Sequence, residues 1–320
     1  MLASEKRPLV TFAVMAYNQE NYVRQAIEGA FSQTYSPLEI ILSDDCSSDR
    51  TYALMREMAE GYRGPHRIVL NRNEKNLGLG RHYNRVMEMA SGEIIELGAG
   101  DDISLPWRTS DSVALLQKHP ELSCISLGIL PFVERSEVGE VAHIEPDALK
   151  LWSFEDYLST PGFFVSAPAR AFRKVTHDFY GPLLDDCPVE DGPGLVRCLL
   201  HGKAGTCENT AVLYRWSGTN MSSPMGLLRI RISAIERDTL NTLRIARQKK
   251  QIDEPTYSRL SGIFEDRLTR CLLIERIRHD KPRLTTFIQI VGTHQFPGMH
   301  RFKLLLKAFL LSMGIRRWPV

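Results

Sequence analysis

The chain lacks several features that would decide its class at once. It has no run of about 20 apolar residues able to span a bilayer: the longest near its end, 302–315, is interrupted by Lys303 and Lys307. Met1 to Pro8 is polar and charged, with no apolar stretch behind its basic residues, so no secretory leader is expected. The six cysteines, Cys46, Cys124, Cys187, Cys198, Cys207 and Cys271, form no C-x-x-C pair and no regular framework. A reducing compartment, the cytosolic side, is therefore expected rather than a disulfide scaffold. The nine histidines show no H-E-x-x-H or comparable metal spacing, and no Ser or Cys nucleophile constellation stands out. Gly-rich linkers and internal repeats are also missing.

What is present is a 320-residue chain, 43% hydrophobic and 24% charged, which fits one large soluble domain with an appendage. The net charge of +2 conceals a division. Residues 1–225 hold 21 Lys+Arg against 30 Asp+Glu, while 226–320 hold 19 against 8. A basic tail on an acidic body marks a surface that meets something anionic, although a solvated helical face gives the same count. Within the tail, Arg301, Lys303 and Lys307 share one helical face, opposite Phe302, Leu305, Leu306, Phe309 and Leu310, with Arg316, Arg317 and Trp318 following. This is the pattern of a helix lying in an anionic membrane surface; a helix docked on the rest of the chain fits equally well. Nucleic acid is the poorer partner, since no known aromatic-basic module appears.

Apolar runs and helical periodicities alternate along the first 120 residues. Leu9 to Met15, Leu38 to Leu42, Arg67 to Leu70 and Glu93 to Leu97 read as strands. Between them, Val23 to Phe31, Tyr52 to Ala59 and Gly80 to Ala90 read as helices, and a further helix ends at His119-Pro120. This is the signature of an open, mostly parallel α/β sheet with helices on both faces. Leu122 to Leu127 reads as another strand; residues 131–190 mix short elements with many prolines and glycines, where the loops that shape an acceptor pocket are expected. From about Leu227 the chain turns helical.

Three acidic pairs punctuate this pattern. Asp44-Asp45 and Asp101-Asp102 each follow a strand, and carboxyl ends of parallel strands frame the ligand crevice. Ser47, Ser48 and Asp49 offer N-cap oxygens for the next helix, and one Asp of the first pair would suffice for that purpose; a second carboxylate can accept from a pyrimidine N–H or a ribose hydroxyl. Asp101 and Asp102 would repel each other unless solvated or neutralised, and Mg²⁺ is typically held by one or two carboxylates plus phosphate oxygens. A solvated turn before Pro106 is the plainer reading of that pair. Glu190-Asp191 opens a helix, as a dipole-stabilised cap or as a general base. Tyr17 and Asn18 end the first strand, where an aromatic at the core's edge is common and an Asn can hold a loop. Asn76-Leu77-Gly78-Leu79-Gly80 lacks the full G-x-G-x-x-G, but Arg81 after it can face a diphosphate.

Taken in order, V-T-F-A-V-M-A-Y-N-Q-E-N-Y, S-Q-T-Y-S-P-L-E-I-I-L-S-D-D-C-S-S-D, N-L-G-L-G-R-H-Y-N and A-S-G-E-I-I-E-L-G-A-G-D-D-I-S-L-P resemble family 2 nucleotide-sugar glycosyltransferases of the GT-A fold. The later E-D, H-G-K-A-G and Y-R-W-S-G-T-N-M-S fit the same family, so the resemblance covers roughly residues 8–223. It implies a catalytic domain over 1–225, with a nucleotide-sugar half at about 8–110 and an acceptor half at 111–225, and a basic helical region over 226–320. It implies that Tyr17 and Asp45 contact the base, with Asn18, Asp44, Asn76, Gly78 and Arg81 around the nucleotide sugar. Asp101 would approach the ribose, Asp102 with Asp101 would bind Mg²⁺ or Mn²⁺, and Tyr214 and Arg215 would lie on the acceptor side. Asp191 matches the catalytic base, with Glu190 as the neighbouring candidate.

Two departures stand out: Ala99 replaces the first Asp of D-x-D-D, and Cys46 replaces the usual Gly of D-D-G-S. No Q-x-x-R-W is present, so a single transfer per binding event is expected, from a nucleoside-diphosphate sugar to a glycan or lipid-linked hydroxyl. The rivals are a GT-A-fold binding protein that has lost its chemistry, for which Ala99 speaks, and a sugar nucleotidyltransferase. The latter normally needs a Gly-rich loop with a basic residue after the first strand, and Met15 to Glu20 has neither.

Overall fold

Val10–Ala16, whose one polar residue is Thr11, forms strand β1 with every position buried. In the computed structural model, which describes residues 7–133, 138–144, 148–160, 165–216 and 230–279, β1 lies between two parallel neighbours. These are β2 (Leu38–Asp44) and β4 (Ile94–Ala99), and β3 (Arg67–Arg72) adds to the outer side of β2. Ala16 pairs with Asp44 and Met15 with Ala99, so the three central strands end level and release their next residues at one rim.

Burial on both faces explains the unbroken apolar runs. Alternate residues of β1 point to opposite cores, Phe12 and Val14 to one and Ala13 and Met15 to the other. The first core is covered by α1 (Val23–Phe31), α2 (Thr51–Gly61) and α4 (Arg108–Lys118); the second by α3 (Leu79–Met89) and α7 (Asp191–His201).

Beyond β4 the sheet is mixed. β8 (Arg170–Arg173) runs antiparallel between β4 and β6 (Leu122–Val133), and β9 (Lys203–Trp216) is parallel to β6. The short β5 (Ile103–Ser104) and β7 (Lys150–Trp152) pair antiparallel with β9, giving the order β3-β2-β1-β4-β8-β6-β9-β5 with β7 on β9. The region expected to mix short elements with loops contributes β7, α5 (Phe154–Ser159), β8 and α6 (Lys174–Tyr180). β6 also runs six residues past its expected end. After the register shifts around Gly128 its side chains become half-buried or exposed, although they stay apolar, and the backbone pairing with β9 continues through Pro131 to Val133.

The chain divides into two compact units, Met1–Arg229 and Ile230–Val320. In the second, α8 (Ile232–Gln248) and α9 (Glu254–His279) form an antiparallel hairpin, with the amide and hydroxyl of Ser233 donating to Glu275 at 2.9 and 2.6 Å. Among the described residues no helix is long and apolar enough to cross a membrane. The amphipathic segment around Arg301 to Trp318 lies outside them.

Candidate active site

At the end of β2 both aspartates are buried. Asp44 Oδ2 accepts from the Ser47 amide at 3.0 Å and faces Arg72 Nε at 3.4 Å, while its Oδ1 is enclosed without a partner. Asp45 Oδ1 accepts from Asn73 Nδ2 at 2.8 Å and the Leu77 amide at 2.9 Å, and its Oδ2 from the Gly78 amide at 2.9 Å. A carboxylate has about four acceptor sites, so Asp45 devotes most of its capacity to shaping the 73–78 loop. Asn76 Oδ1 also accepts from the Gly78 amide, at 3.0 Å, and Gly78 sits at φ +77°, where a side chain would be strained. Arg81 follows, exposed on the first turn of α3, its Nε donating to the Leu77 carbonyl at 2.8 Å. His82 lies beneath, its Nε2 2.7 Å from Ser43 Oγ; burial lowers its pKa against the opposing pull of Asp45 and Asp44.

The residues expected to cap α2 mostly join the loops instead. Ser47 Oγ accepts from the Asn18 amide at 2.9 Å, Asp49 Oδ2 from the Glu20 amide at 3.0 Å, and the Ser48 amide donates to Asn18 Oδ1 at 2.9 Å. Only the other oxygen of Asp49 meets the helix start, at the Thr51 amide, 2.9 Å away. Asn18 adopts φ +53° to make this clasp, leaving Tyr17, 47% exposed, at the mouth of the crevice. Cys46 lies at φ +61°, which accounts physically for a glycine being usual at that position.

The turn after β4 is held against β1 by the Gly100 amide, 2.9 Å from the Met15 carbonyl. Burial raises the pKa of Asp101, with Gln19 hydrogen-bonding its carboxyl. Asp102 is more affected: burial first, and then the charge of Asp101, push it up to about 7. Its Oδ1 accepts from the Arg215 amide at 2.9 Å. Arg215 also donates from Nε to the Asp101 carbonyl at 2.9 Å and from Nη2 to Gln25, and its guanidinium lies 4.7 and 4.5 Å from the rings of Tyr22 and Phe132. Arg215, expected on the acceptor side, is buried and clamps the acidic turn. The β5–β9 register brings Tyr214 alongside the same turn.

Two adjacent, desolvated carboxylates are a donor set that a divalent cation would relieve, with remaining ligands supplied by a substrate's phosphates. Ala99, at the exposed end of β4, contributes none, and among the described residues no three His, Cys, Asp or Glu side chains form a ready-made metal cluster.

Glu190 and Asp191 behave differently. Asp191 is the first residue of α7 and is exposed; Glu190 Oε2 is enclosed without a partner. Burial, reinforced by the charge of Asp191, raises the pKa of Glu190 well above its ordinary value. Both line a cavity of about 30 Å³, with Arg170, Arg197, Tyr83 and His177 among its walls. His177 is lowered to about 4, chiefly by burial, and its Nδ1 is 3.2 Å from the Tyr83 hydroxyl. Arg170 Nη1 donates to the Asp191 carbonyl at 3.0 Å, and its Nη2 is 3.7 Å from Asp191 Oδ1. Pairing of Glu96 with Ala171 puts Arg170 next to Leu97, so α7 begins beside the carboxyl end of β4.

The expected residues therefore gather at one rim, from Tyr17 and Asn18 through Asp44, Asp45 and the Asn76–Arg81 loop to Asp101, Asp102 and Tyr214, with Asp191 at its side. Sequence reading missed Arg72, Arg170 and Gln19. Isolated polar residues carry no motif, and only tertiary pairing reveals their roles.

Residues 11–151 match the family model described as glycosyl transferase family 2. A putative glycosyltransferase of Bacillus subtilis, EpsE, is 35% identical over 127 residues, 40% of this chain and 45% of its own length. A glycosyltransferase of Haemophilus influenzae is 31% identical over 131 residues, 41% of this chain and 40% of its own. The chain thus spans less than half the length of these curated relatives. Among solved structures, Staphylococcus aureus TarS 1-349 in complex with UDP-GlcNAc superposes with a TM-score of 0.61 at 14% identity, over 96% of this chain and 91% of that one. The mannosyltransferase PcManGT of Pyrobaculum calidifontis, in complex with GDP-Man and Mn²⁺, gives 0.54 at 14% identity, over 98% and 89%. These likenesses establish the fold, a GT-A sheet. Over residues 11–151 the chain is similar to glycosyl transferase family 2.

Proposed function

We propose that this protein is a glycosyltransferase that moves a sugar from a nucleoside-diphosphate sugar to a hydroxyl acceptor in one inverting displacement. The observation that carries the reading is the contrast within the third acidic pair: Asp191 is exposed on the first turn of α7, while its neighbour Glu190 is enclosed and burial raises its pKa. A single carboxylate is thereby available to take the proton from an attacking hydroxyl. Asp191 is the base in this reading, and Glu190 is not.

The nucleotide half of the sheet, about 8–110, would hold the donor. Tyr17, with Asp44 and Asp45 behind it, faces the base, and the loop from Asn76 to Arg81 brings a guanidinium toward the diphosphate. Asp102 and Asp101 would hold Mg²⁺ or Mn²⁺. When bound, such an ion neutralises the pair and stabilises the charge of the departing nucleoside diphosphate. Tyr214 lies toward the acceptor in 111–225, and Arg215 acts by fixing the acidic turn. The complexes of the structural neighbours, with UDP-GlcNAc and with GDP-Man and Mn²⁺, agree with this class of donor and ion. A glycan or lipid-linked acceptor at an anionic membrane surface fits the basic 226–320 region, whose count is 19 Lys+Arg against 8 Asp+Glu.

The test is a panel of nucleotide sugars with and without EDTA, reading nucleoside diphosphate release and the anomeric configuration of any product. Metal-dependent release with inversion is expected; a product that retains the donor's configuration would overturn the single-displacement mechanism.

A further inference from the structure

We propose that Arg170 is a positioning residue for the transfer, holding Asp191 by its main chain and its carboxylate together. The inference rests on the reading of Asp191 as base. Arg170 is 7% exposed on β8, a strand paired on both sides, by β4 and by β6, so its backbone is fixed by the sheet itself. From there the guanidinium makes two contacts with one residue: Nη1 to the Asp191 carbonyl at 3.0 Å and Nη2 to Oδ1 at 3.7 Å.

A guanidinium removed from water needs an anion, because desolvation of an unpaired charge is costly. Two carboxylates line the cavity that Arg170 enters. Asp191 is the one the guanidinium contacts at both its carbonyl and its carboxylate, and so is the compensating anion. The other lining cation, Arg197, is turned to the carbonyls of Gly181 at 2.6 Å and Pro182 at 3.3 Å. Arg170 reaches Asp191 from the sheet side, and the carboxylate remains 54% exposed toward solvent. That orientation is what a base needs: a fixed anchor behind and free lone pairs in front. A displacement of about 1 Å in a reacting group can cost on the order of 100-fold in rate.

The experiment uses the full-length chain with UDP-GlcNAc and GDP-mannose as donor probes, alongside hydrogen exchange. Arg170→Ala is expected to lower kcat by roughly 30- to 100-fold with donor KM changed less than about threefold. Arg170→Lys should retain an intermediate rate, and added guanidinium should restore part of the Ala variant's turnover. Amides in the first turn of α7 should exchange faster in Arg170→Ala, while those of β6 and β9 stay unchanged; this arm is decisive even where neither probe is turned over. Unaltered exchange at 191–194 would overturn the proposal, as would a fully active Arg170→Ala beside an inactive Asp191→Asn. A fully active Asp191→Asn would instead remove the base assignment itself.

Discussion

The backbone amide of Arg215 lies 2.9 Å from Oδ1 of Asp102, fastening strand β9 to the acidic turn that follows β4. The same arginine is stacked between Tyr22 and Phe132 and reaches Gln25 on α1, so one buried side chain joins three parts of the molecule. Arg215→Ala removes these contacts but keeps the backbone bond to Asp102. A stability loss of about 2–3 kcal/mol is expected, from the hydrogen bonds and the cation–π pairs together. Turnover should fall at least tenfold. Thermal unfolding and a rate assay on the same sample check both, and an unchanged melting point would mean the clamp holds nothing.

Asp102 titrates at about 7 in the folded chain, against an ordinary aspartate value near 3.9. Between those values the folded state binds the extra proton, so this group's contribution to stability is present below about pH 4 and is lost as pH rises to 7. In the proposed function a divalent cation would replace that proton. Addition of Mn²⁺ should therefore raise the melting point more at pH 8 than at pH 5.5, and Asp102→Asn should abolish the difference. Equal shifts at both pH values would count against Asp102 as a ligand.

Cys46 sits at φ +61°, a backbone conformation that costs a side-chain-bearing residue roughly 1–2 kcal/mol. Its Sγ has one weak contact, 3.6 Å from the Glu74 carbonyl. Cys46→Gly relieves the backbone but loosens the unfolded chain, so a net gain of about 0.5–1 kcal/mol is expected with turnover unchanged. Denaturant titration measures this directly, and a loss of stability would show that the cysteine's contacts outweigh its strain.

Gly100 lies where an added Cβ would collide with Gln19 Oε1 and Ala16 Cβ, at the point where the acidic turn leans on β1. Gly100→Ala should push Asp101 and Asp102 outward, lowering turnover by about tenfold or more. Metal affinity should weaken in parallel. A variant that binds Mn²⁺ as the native chain does would show that the turn tolerates the shift.

The basic tail makes a separate prediction. If Arg301, Lys303 and Lys307 meet an anionic bilayer, the double substitution Lys303→Glu and Lys307→Glu should cost about 2 kcal/mol of membrane affinity or more, at roughly 1 kcal/mol per basic residue removed. Co-sedimentation with phosphatidylserine vesicles, against neutral vesicles as control, reads this. Equal pelleting of native and substituted chains would remove the membrane role.

The nucleotide half of the fold was legible because its physics is local. Strands such as Val10–Ala16 are buried on both faces and appear as apolar runs, and their helices carry a three-and-four spacing. The acidic pairs could be placed at strand ends for the same reason. What lay beyond reach was non-local. Ser47 and Asp49 look like caps in the sequence, yet they bond mainly to a loop some 29 residues earlier. That Arg215 clamps the acidic turn is not visible in its motif, and only the pairing of β9 with β5 brings the two together. Strand β8, four residues long with an arginine at each end, has too short a pattern to announce itself.

That short strand decides how the molecule can move. By bridging β4 and β6 it joins the parallel strands and those beyond β4 into one continuous sheet. Entry and exit of ligands must then be managed by the segments at the rim, with the sheet as a fixed floor. Changes of acceptor preference can accumulate in those segments without altering the distance between the acidic turn and the start of α7.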